Sequence, residues 1–544
     1  MLLDTLVYLI LLLLTLLSIC GYGLIYNKNE TSYFDNPFTN IFAGLIILVP
    51  ISFIINLISS NVILNLLIFL LGIFFYFLRY KKKYLVYFLS VSLIFFSGLV
   101  ISKTHEDFSV YHFQHINEIS QNYIILGLAN LDIRYTYASI FAYMQSLYKF
   151  PIFDYKAIFL PIFSIYISLI GYLFFNVIKK RKVLISAFFL ILLIIKFKRL
   201  SEFGYDYIGQ FLLIYIFIEF VFDSKLNKRK FFDLIALFLL SILIKITNIY
   251  FLPVILIPLL YQIKNINLKE FIPITIPILS FLLIFSANSF IKTGCLNYFI
   301  KITCNISNQI SWNVNYEEIN QIKSNSKSWA RGYFHQKNEN KIENEYTYNK
   351  NLNWISNWLV SHFKIKILGY LVLLLIIYFL IKTFSFTKLK TRINKSYLNL
   401  FFALIFSCLF WLYNFPQFRL GFASISILFF LIIDYFFKSK IKLRTKQFIF
   451  ILAISIVYFN YSNLKRISEE FSRDDIYKFT NFPFFPSPNL SFKIKFSEEV
   501  KYRVSTPNKN FWRSCWNIEP ICVNHDDKIK ITKLKKNLTI EKIN

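Results

Sequence analysis

"TLVYLILLLLTLLSICGYGLIY", residues 5–26, carries no charged side chain from end to end. As an α-helix rising 1.5 Å per residue it reaches roughly 33 Å, enough to cross a hydrocarbon core of about 30 Å. Only Asp4 precedes it among charged residues, and no basic segment or small-residue cleavage site accompanies it, so it reads as a retained span rather than a secretory leader. The apolar residues run continuously instead of alternating, which selects a helix over the strand of a membrane barrel.

The rest of the chain repeats this signal. Of 544 residues, 56% are hydrophobic and 20% aromatic, far above an ordinary soluble domain. The mean hydropathy of +0.52 agrees. About fourteen runs have membrane-spanning length, near 5–26, 40–60, 62–78, 84–101, 157–177, 183–197, 208–223, 231–247, 249–262, 272–290, 366–382, 397–412, 420–437 and 446–460. The fold class expected is an all-α polytopic transmembrane bundle of about 12–14 spans, with helices lying in the interface on its outer face and a short soluble C-terminal tail. A net charge of +30 would suggest nucleic acid in a soluble protein. Here it is concentrated in short clusters between spans, "RYKKK" (79–83), "KKRK" (179–182), "KLNKR" (225–229), "KLKTR" (388–392) and "KSKIKLRTK" (438–446), which the positive-inside rule assigns to the cytoplasm. The partner is a lipid bilayer, and no nucleic acid is expected.

Fixing those clusters inside divides the chain into N-terminal spans (1–101), an outer loop (102–156), a transmembrane core (157–290), a second outer loop (291–365), C-terminal spans (366–460) and an outer tail (461–544). Splitting 40–78 into two spans is the step that sets the N-terminal orientation. Cysteine tests the sidedness independently. Cys20 and Cys408 lie in apolar runs, whereas "CLNYFIKITC" (295–304) and "CWNIEPIC" (515–522) place close pairs in the second loop and the tail. An oxidising compartment favours the disulfides Cys295–Cys304 and Cys515–Cys522; the alternatives are four free thiols or a metal site, though neither spacing fits a zinc pattern.

The first outer loop opens with "THEDFSVYHFQHINE", residues 104–118. Adjacent acids at the end of a span, Glu106 and Asp107, have the chemistry for a general base on an acceptor hydroxyl or for holding a divalent cation, Mg or Mn; the bland reading is a solvated helix end. His105, His112 and His115 read first as satisfied interfacial histidines and second as substrate or zinc contacts. The apolar, aromatic stretch 136–148 suggests a helix lying in the interface. Further candidates for substrate binding are Arg134 in "NLDIR", Glu202 and Asp206 in "SEFGYDYIGQ", Lys245 in "ILIKITNIY" and Arg419 in "FPQFRLG". Each taken singly is also an ordinary boundary residue or interfacial anchor. As a set, cations facing the same side as acids fit an anionic, lipid-linked substrate.

The ordered set "HEDFSVYHF", "ILGLANLDIRYTYASIFAYMQSLY", "SEFGYDYIGQ", "KTGCLNYFIKITCNISNQISW", "FPQFRLG" and "CWNIEPIC" resembles the uncharacterised DUF8201 family of bacterial polytopic membrane proteins, related to the GT-C glycosyltransferases. That resemblance implies transfer from a polyprenyl-phosphate-linked sugar donor to a cell-envelope glycan or lipid acceptor, at the periplasmic face of the bacterial inner membrane. It carries the base or metal-contact role onto Asp107, and less directly onto Glu106. The acidic loop follows about four spans, where GT-C proteins usually present it after the first. Alternatives are an O-antigen polymerase or ligase, which would use the same donor class, a polysaccharide or lipid-linked-sugar transporter or flippase, and a passive scaffold. No internal repeat of the transporter kind is evident.

Overall fold

The computed structural model describes residues 2–27, 36–58, 62–79, 82–101, 111–122, 124–137, 139–150, 155–198, 205–222, 228–263, 268–305, 310–336, 342–383, 395–437 and 445–473. It also describes Phe153 alone in the first loop and, in the tail, 477–478, 482–486, 490–498, 500–506, 521–523, 529–534 and 537–542, with Thr480, Cys515 and Ile518 as single positions.

Helices dominate. The first four are α1 (Leu2–Tyr26), α2 (Pro37–Ile58), α3 (Val62–Leu78) and α4 (Lys82–Phe95). The region 40–78 therefore falls in two helices, α2 and α3. In the first loop lie α5 (Phe113–Gln121), the two-residue strand β1 (Ile125–Leu126), a 3-10 turn (Ile133–Tyr137) and α6 (Phe141–Leu147). Then follow α7 (Leu160–Ile178), α8 (Val183–Lys196), α9 (Asp206–Phe222), α10 (Lys228–Ile244), a second 3-10 turn (Ile246–Phe251), α11 (Leu252–Ile263) and α12 (Leu268–Thr293). The second loop contributes α13 (Tyr316–Ala330), and the bundle closes with α14 (Leu368–Thr383), α15 (Lys395–Asn414), α16 (Phe418–Phe437) and α17 (Thr445–Arg473). Among the described residues seven helical stretches are long and apolar enough to cross a membrane, and four shorter apolar ones accompany them. This is a multi-pass membrane protein by length and composition.

Glycine sets the first contacts. An added Cβ on Gly21 of α1 would lie 1.9 Å from the Gly72 carbonyl oxygen of α3, and one on Gly23 would lie 1.7 Å from the Asn40 carbonyl oxygen of α2. Neither separation is attainable, so the three backbones meet only because these side chains are absent, the usual device of helix packing in lipid. Ser18 and Tyr22 donate from α1 to the α3 carbonyls of Phe69 and Ile68, at 2.9 and 2.8 Å. Along α3 the residues Ile63, Leu67, Leu70 and Phe74 stay exposed, as a lipid-facing surface requires, whereas α7 is buried almost throughout and forms the centre.

Every residue of α6 is buried, packed against α2 and α5. Its aromatic and apolar side chains fill protein, not lipid. The tail, for its part, adds β structure to the bundle. β2 (Phe492–Ser497) pairs antiparallel with β3 (Val500–Ser505), which pairs parallel with β4 (Cys522–Val523). β5 (Ile529–Leu534) and β6 (Asn537–Lys542) form an antiparallel pair, and β6 continues parallel onto β1 of the first loop. Gly127 permits that junction. Its φ is +74°, and a Cβ there would come within 2.3 Å of the Ile540 carbonyl.

Both cysteine pairs are bonded, Cys295–Cys304 and Cys515–Cys522, leaving Cys20 and Cys408 free.

Candidate functional site

The site is assembled from four segments far apart in sequence. Asp206 occupies the first turn of α9, just ahead of its apolar run, with its side chain 6% exposed. Lys245 follows the last turn of α10 in extended backbone, φ −149° and ψ 114°, which turns the chain out of the helix. Its Nζ lies 2.7 Å from Asp206 Oδ1. Arg419, in the first turn of α16, sets Nε 3.3 Å from Asp206 Oδ2 and also donates to Gln417 Oε1 at 3.0 Å. The guanidinium sits over the Trp329 ring of α13, 5.7 Å from its centroid. Burial alone would raise the Asp206 carboxyl, but Lys245, Arg419 and His112 more than reverse it and hold the group below the usual carboxylate range. One carboxylate thus balances two adjoining cations.

Gln210, one turn further along α9, fixes the geometry. Its Nε2 donates to Asn248 Oδ1 at 2.6 Å and to the Leu420 carbonyl at 3.2 Å, while its Oε1 accepts from Ala423 N at 2.9 Å. These partners belong to the segments that carry Lys245 and Arg419. Gly209 is the neighbour this needs, because a Cβ there would lie 2.0 Å from Asn248 Nδ2.

The fourth segment is the start of α5. His112 Nδ1 and the Tyr205 hydroxyl are 2.5 Å apart, tying the residue before Asp206 to the described chain that resumes at Tyr111. Arg134 stacks on Tyr111, 5.0 Å from the ring centroid, and donates through Nε to Asp132 Oδ1 at 2.9 Å.

Of the residues singled out from sequence, Asp206, Lys245, Arg419 and His112 come together. Arg134 is committed to Asp132, which the sequence reading did not name. His115 was expected to be a satisfied interfacial histidine or a substrate contact. It is fully buried one turn beyond His112, its ring against Tyr135 and Tyr143, and neither ring nitrogen has a hydrogen-bond partner among the described residues. It does not touch the Asp206 group because α5 turns it into the protein. His105, Glu106, Asp107 and Glu202 lie outside the described residues. No group of three or more His, Cys, Asp or Glu side chains suited to a metal occurs among the described residues; a cation site at Glu106 and Asp107 falls outside them.

Tyr205, Gln210, Asn248 and Trp329 were missed. Tyrosine is too common here, at 36 residues, for one to stand out. Gln210 and Asn248 gave a weak signal as polar residues at the mouths of apolar runs.

A second buried charge group marks the other end of α9. Glu219 lies 3.1 Å from Lys182 and is also paired with Lys230 and hydrogen-bonded by Tyr172. About 20 Å of helix separates it from Asp206, so Lys182 of one basic cluster and Lys230, the residue after another, meet at the end of α9 opposite the site.

Residues 3–426 match the family model described as a domain of unknown function, DUF8201, and the chain belongs to that family. No curated protein and no solved structure matches it.

Proposed function

For this DUF8201 member we propose an integral-membrane glycosyltransferase of the GT-C type, moving a sugar from a polyprenyl-phosphate-linked donor to a cell-envelope glycan or lipid acceptor at the periplasmic face of the bacterial inner membrane. The observation that carries the reading is the Asp206 cluster. Lys245 and Arg419 converge on one carboxylate and leave a net positive charge at one end of the bundle. A lipid phosphate is the natural counter-charge for such a pair, because a guanidinium and an ammonium bind phosphate oxygens by charge-assisted hydrogen bonds. Asp206 would hold both cations in place while no donor is bound.

In this mechanism Asp107 takes the proton from the acceptor hydroxyl as that oxygen attacks the anomeric carbon. The bond from that carbon to the phosphate oxygen breaks, and the departing lipid phosphate gathers charge beside Lys245 and Arg419. One displacement inverts the anomeric configuration. His112, hydrogen-bonded to Tyr205, joins the start of α5 to the cluster, and α5 begins six residues after Asp107 in the chain. A divalent cation held by Glu106 and Asp107 would serve the same charge.

The test is deletion of the gene in its host, with mass spectrometry of surface glycans and lipid-linked sugars and complementation by Asp107→Asn and Lys245→Met. Loss of one glycan residue with accumulation of a polyprenyl-phosphate sugar, restored by the wild-type gene and by neither variant, is the expected result. Unchanged glycans and carrier lipids would overturn the reading. Restoration by Asp107→Asn would remove that residue's role alone.

A further inference from the structure

Arg419 joins the Asp206 cluster to an aromatic surface that the proposed reaction has not used, the indole of Trp329 in the last turn of α13. The chain treats its other tryptophans differently. Trp354, Trp358 and Trp411 are each at most 5% exposed, and the last two donate their indole N–H to the carbonyls of Pro416 and Gln417, at 2.9 and 2.8 Å. They pin the turn from which Arg419 projects. Trp329 is 42% exposed, and its indole N–H has no acceptor among the described residues. Leaving so large a ring in water forgoes the free energy of covering it.

Its surroundings indicate what would cover it. Lipid is the ordinary neighbour of a boundary tryptophan. Yet Asn325 and Ser326, which share the Trp329 face of α13 by helical spacing, are exposed polar residues where a lipid-facing surface would be apolar. A flat ring beside an amide and a hydroxyl suits a sugar. The C–H face of a pyranose packs on the electron-rich face of an indole, and its hydroxyls pair with amide and hydroxyl side chains. The position agrees with the chemistry. One guanidinium, that of Arg419, lies 5.7 Å from the indole centroid and sets its Nε 3.3 Å from Asp206 Oδ2. A sugar joined through one oxygen to a phosphate held by Arg419 and Lys245 therefore lies beside the indole. We propose that Trp329 is the stacking platform for the sugar ring of the donor, with Asn325 and Ser326 reading its hydroxyls.

This inference rests on the reading of the Asp206 cluster as a lipid-phosphate site and adds a second contact with a separate task. The cations supply affinity for the phosphate that every such lipid shares, and the indole supplies affinity for the sugar. The two are separable by mutation. Without the Trp329 ring, Arg419 keeps its contacts with Asp206 and with Gln417 Oε1, and truncating an exposed side chain leaves no enclosed cavity.

The whole chain in lipid nanodiscs is titrated with synthetic polyprenyl phosphodiesters bearing methyl, glucose, galactose, mannose or N-acetylglucosamine, all of the same charge, and dissociation constants are read by thermophoresis. Stacking tolerates differences in hydroxyl pattern, so the natural sugar need not be among them. Wild type is expected to bind at least one glycosyl lipid about tenfold more tightly than the methyl diester. Trp329→Ala should lose that preference and keep the affinity for the methyl diester, Trp329→Tyr should recover most of it, and Lys245→Met should weaken binding of all five. Asn325→Ala should lower the same preference, and it decides the matter should Trp329→Ala fail to fold. Equal binding of methyl and glycosyl lipids by wild type would overturn the platform and leave the phosphate site standing. Binding of none of them would overturn the phosphate reading and the platform with it. A preference unchanged in Trp329→Ala would place the sugar elsewhere, and an equal loss for methyl and glycosyl lipids would reduce Trp329 to a support for Arg419; either overturns the proposal.

Discussion

Replacing Asp206 by Asn tests the centre of the site at nearly constant volume. The substitution leaves Lys245 and Arg419 facing an amide that cannot oppose their charge. At an effective dielectric constant near 20, unit charges 3 to 4 Å apart attract by about 4–5 kcal/mol, and removing one member of a buried pair costs about 3–5 kcal/mol. The two cations are not fully enclosed, with side chains 21% and 31% exposed, so water recovers part of that loss. We therefore expect Asp206→Asn to lower stability by about 2–4 kcal/mol, read by equilibrium unfolding in mixed micelles. A cycle with Lys245→Met isolates the pair: the double variant should be more stable than the sum of the singles implies, by about 1–2 kcal/mol. The pH dependence carries a definite sign. Because the folded carboxyl titrates below its unfolded value, its contribution is complete above about pH 4 and is lost as pH falls further. Asp206→Asn should remove that acid-side slope. A coupling within about 0.5 kcal/mol of zero, with wild type and variant equally stable from pH 3 to 7, would refute the charge cluster as described.

Two other outcomes follow from particular contacts. Gly23→Leu should abolish folding or cost more than about 4 kcal/mol, because α1 and α2 must separate to admit any side chain there; a correctly folded variant in size-exclusion and protease-protection assays would contradict the packing. Glu118→Gln should flatten a stability loss that wild type shows as pH rises from about 4.5 to about 8. The buried acid keeps its proton to about pH 8 while the unfolded one releases it near 4.5, so wild-type stability falls between those values as pH rises and the amide removes the fall. Parallel curves for the two proteins would sink that account.

The membrane character and the helices were legible because apolar length is a property of consecutive residues. The disulfides were legible because charge and cysteine spacing put both pairs in the loop and tail assigned to one side. Asp206, Lys245 and Arg419 were each legible as charges at the mouths of apolar runs, but their meeting was not. It depends on Gln210 binding Asn248, Leu420 and Ala423 at once, and no local pattern in "GYDYIGQ" announces partners so distant. The tail divides in the same way. In residues 529–540 the alternation of buried Ile529 and Ile531, then Leu538 and Ile540, was a readable strand signal within a polar segment. The pairing of β6 with Ile125–Leu126 was not, since two residues hold no period.

That pairing also bears on how the site is held. Oε1 of Glu118 accepts the Cys522 N–H at 3.0 Å, and Asn117 Nδ2 donates to the Ile518 carbonyl at 3.2 Å. The disulfide-closed loop thus grips α5 from one side, and β6 grips the same outer loop through β1 from the other. The tail has a structural use here. It restrains the helix that places His112 against Tyr205, next to Asp206, and a loop rich in polar groups needs such restraint where lipid packing does not supply it. On this argument, losing the tail should release α5 and weaken the His112 contact while leaving α1–α3 packed, since their contacts through Gly21, Gly23 and Gly72 involve no tail residue.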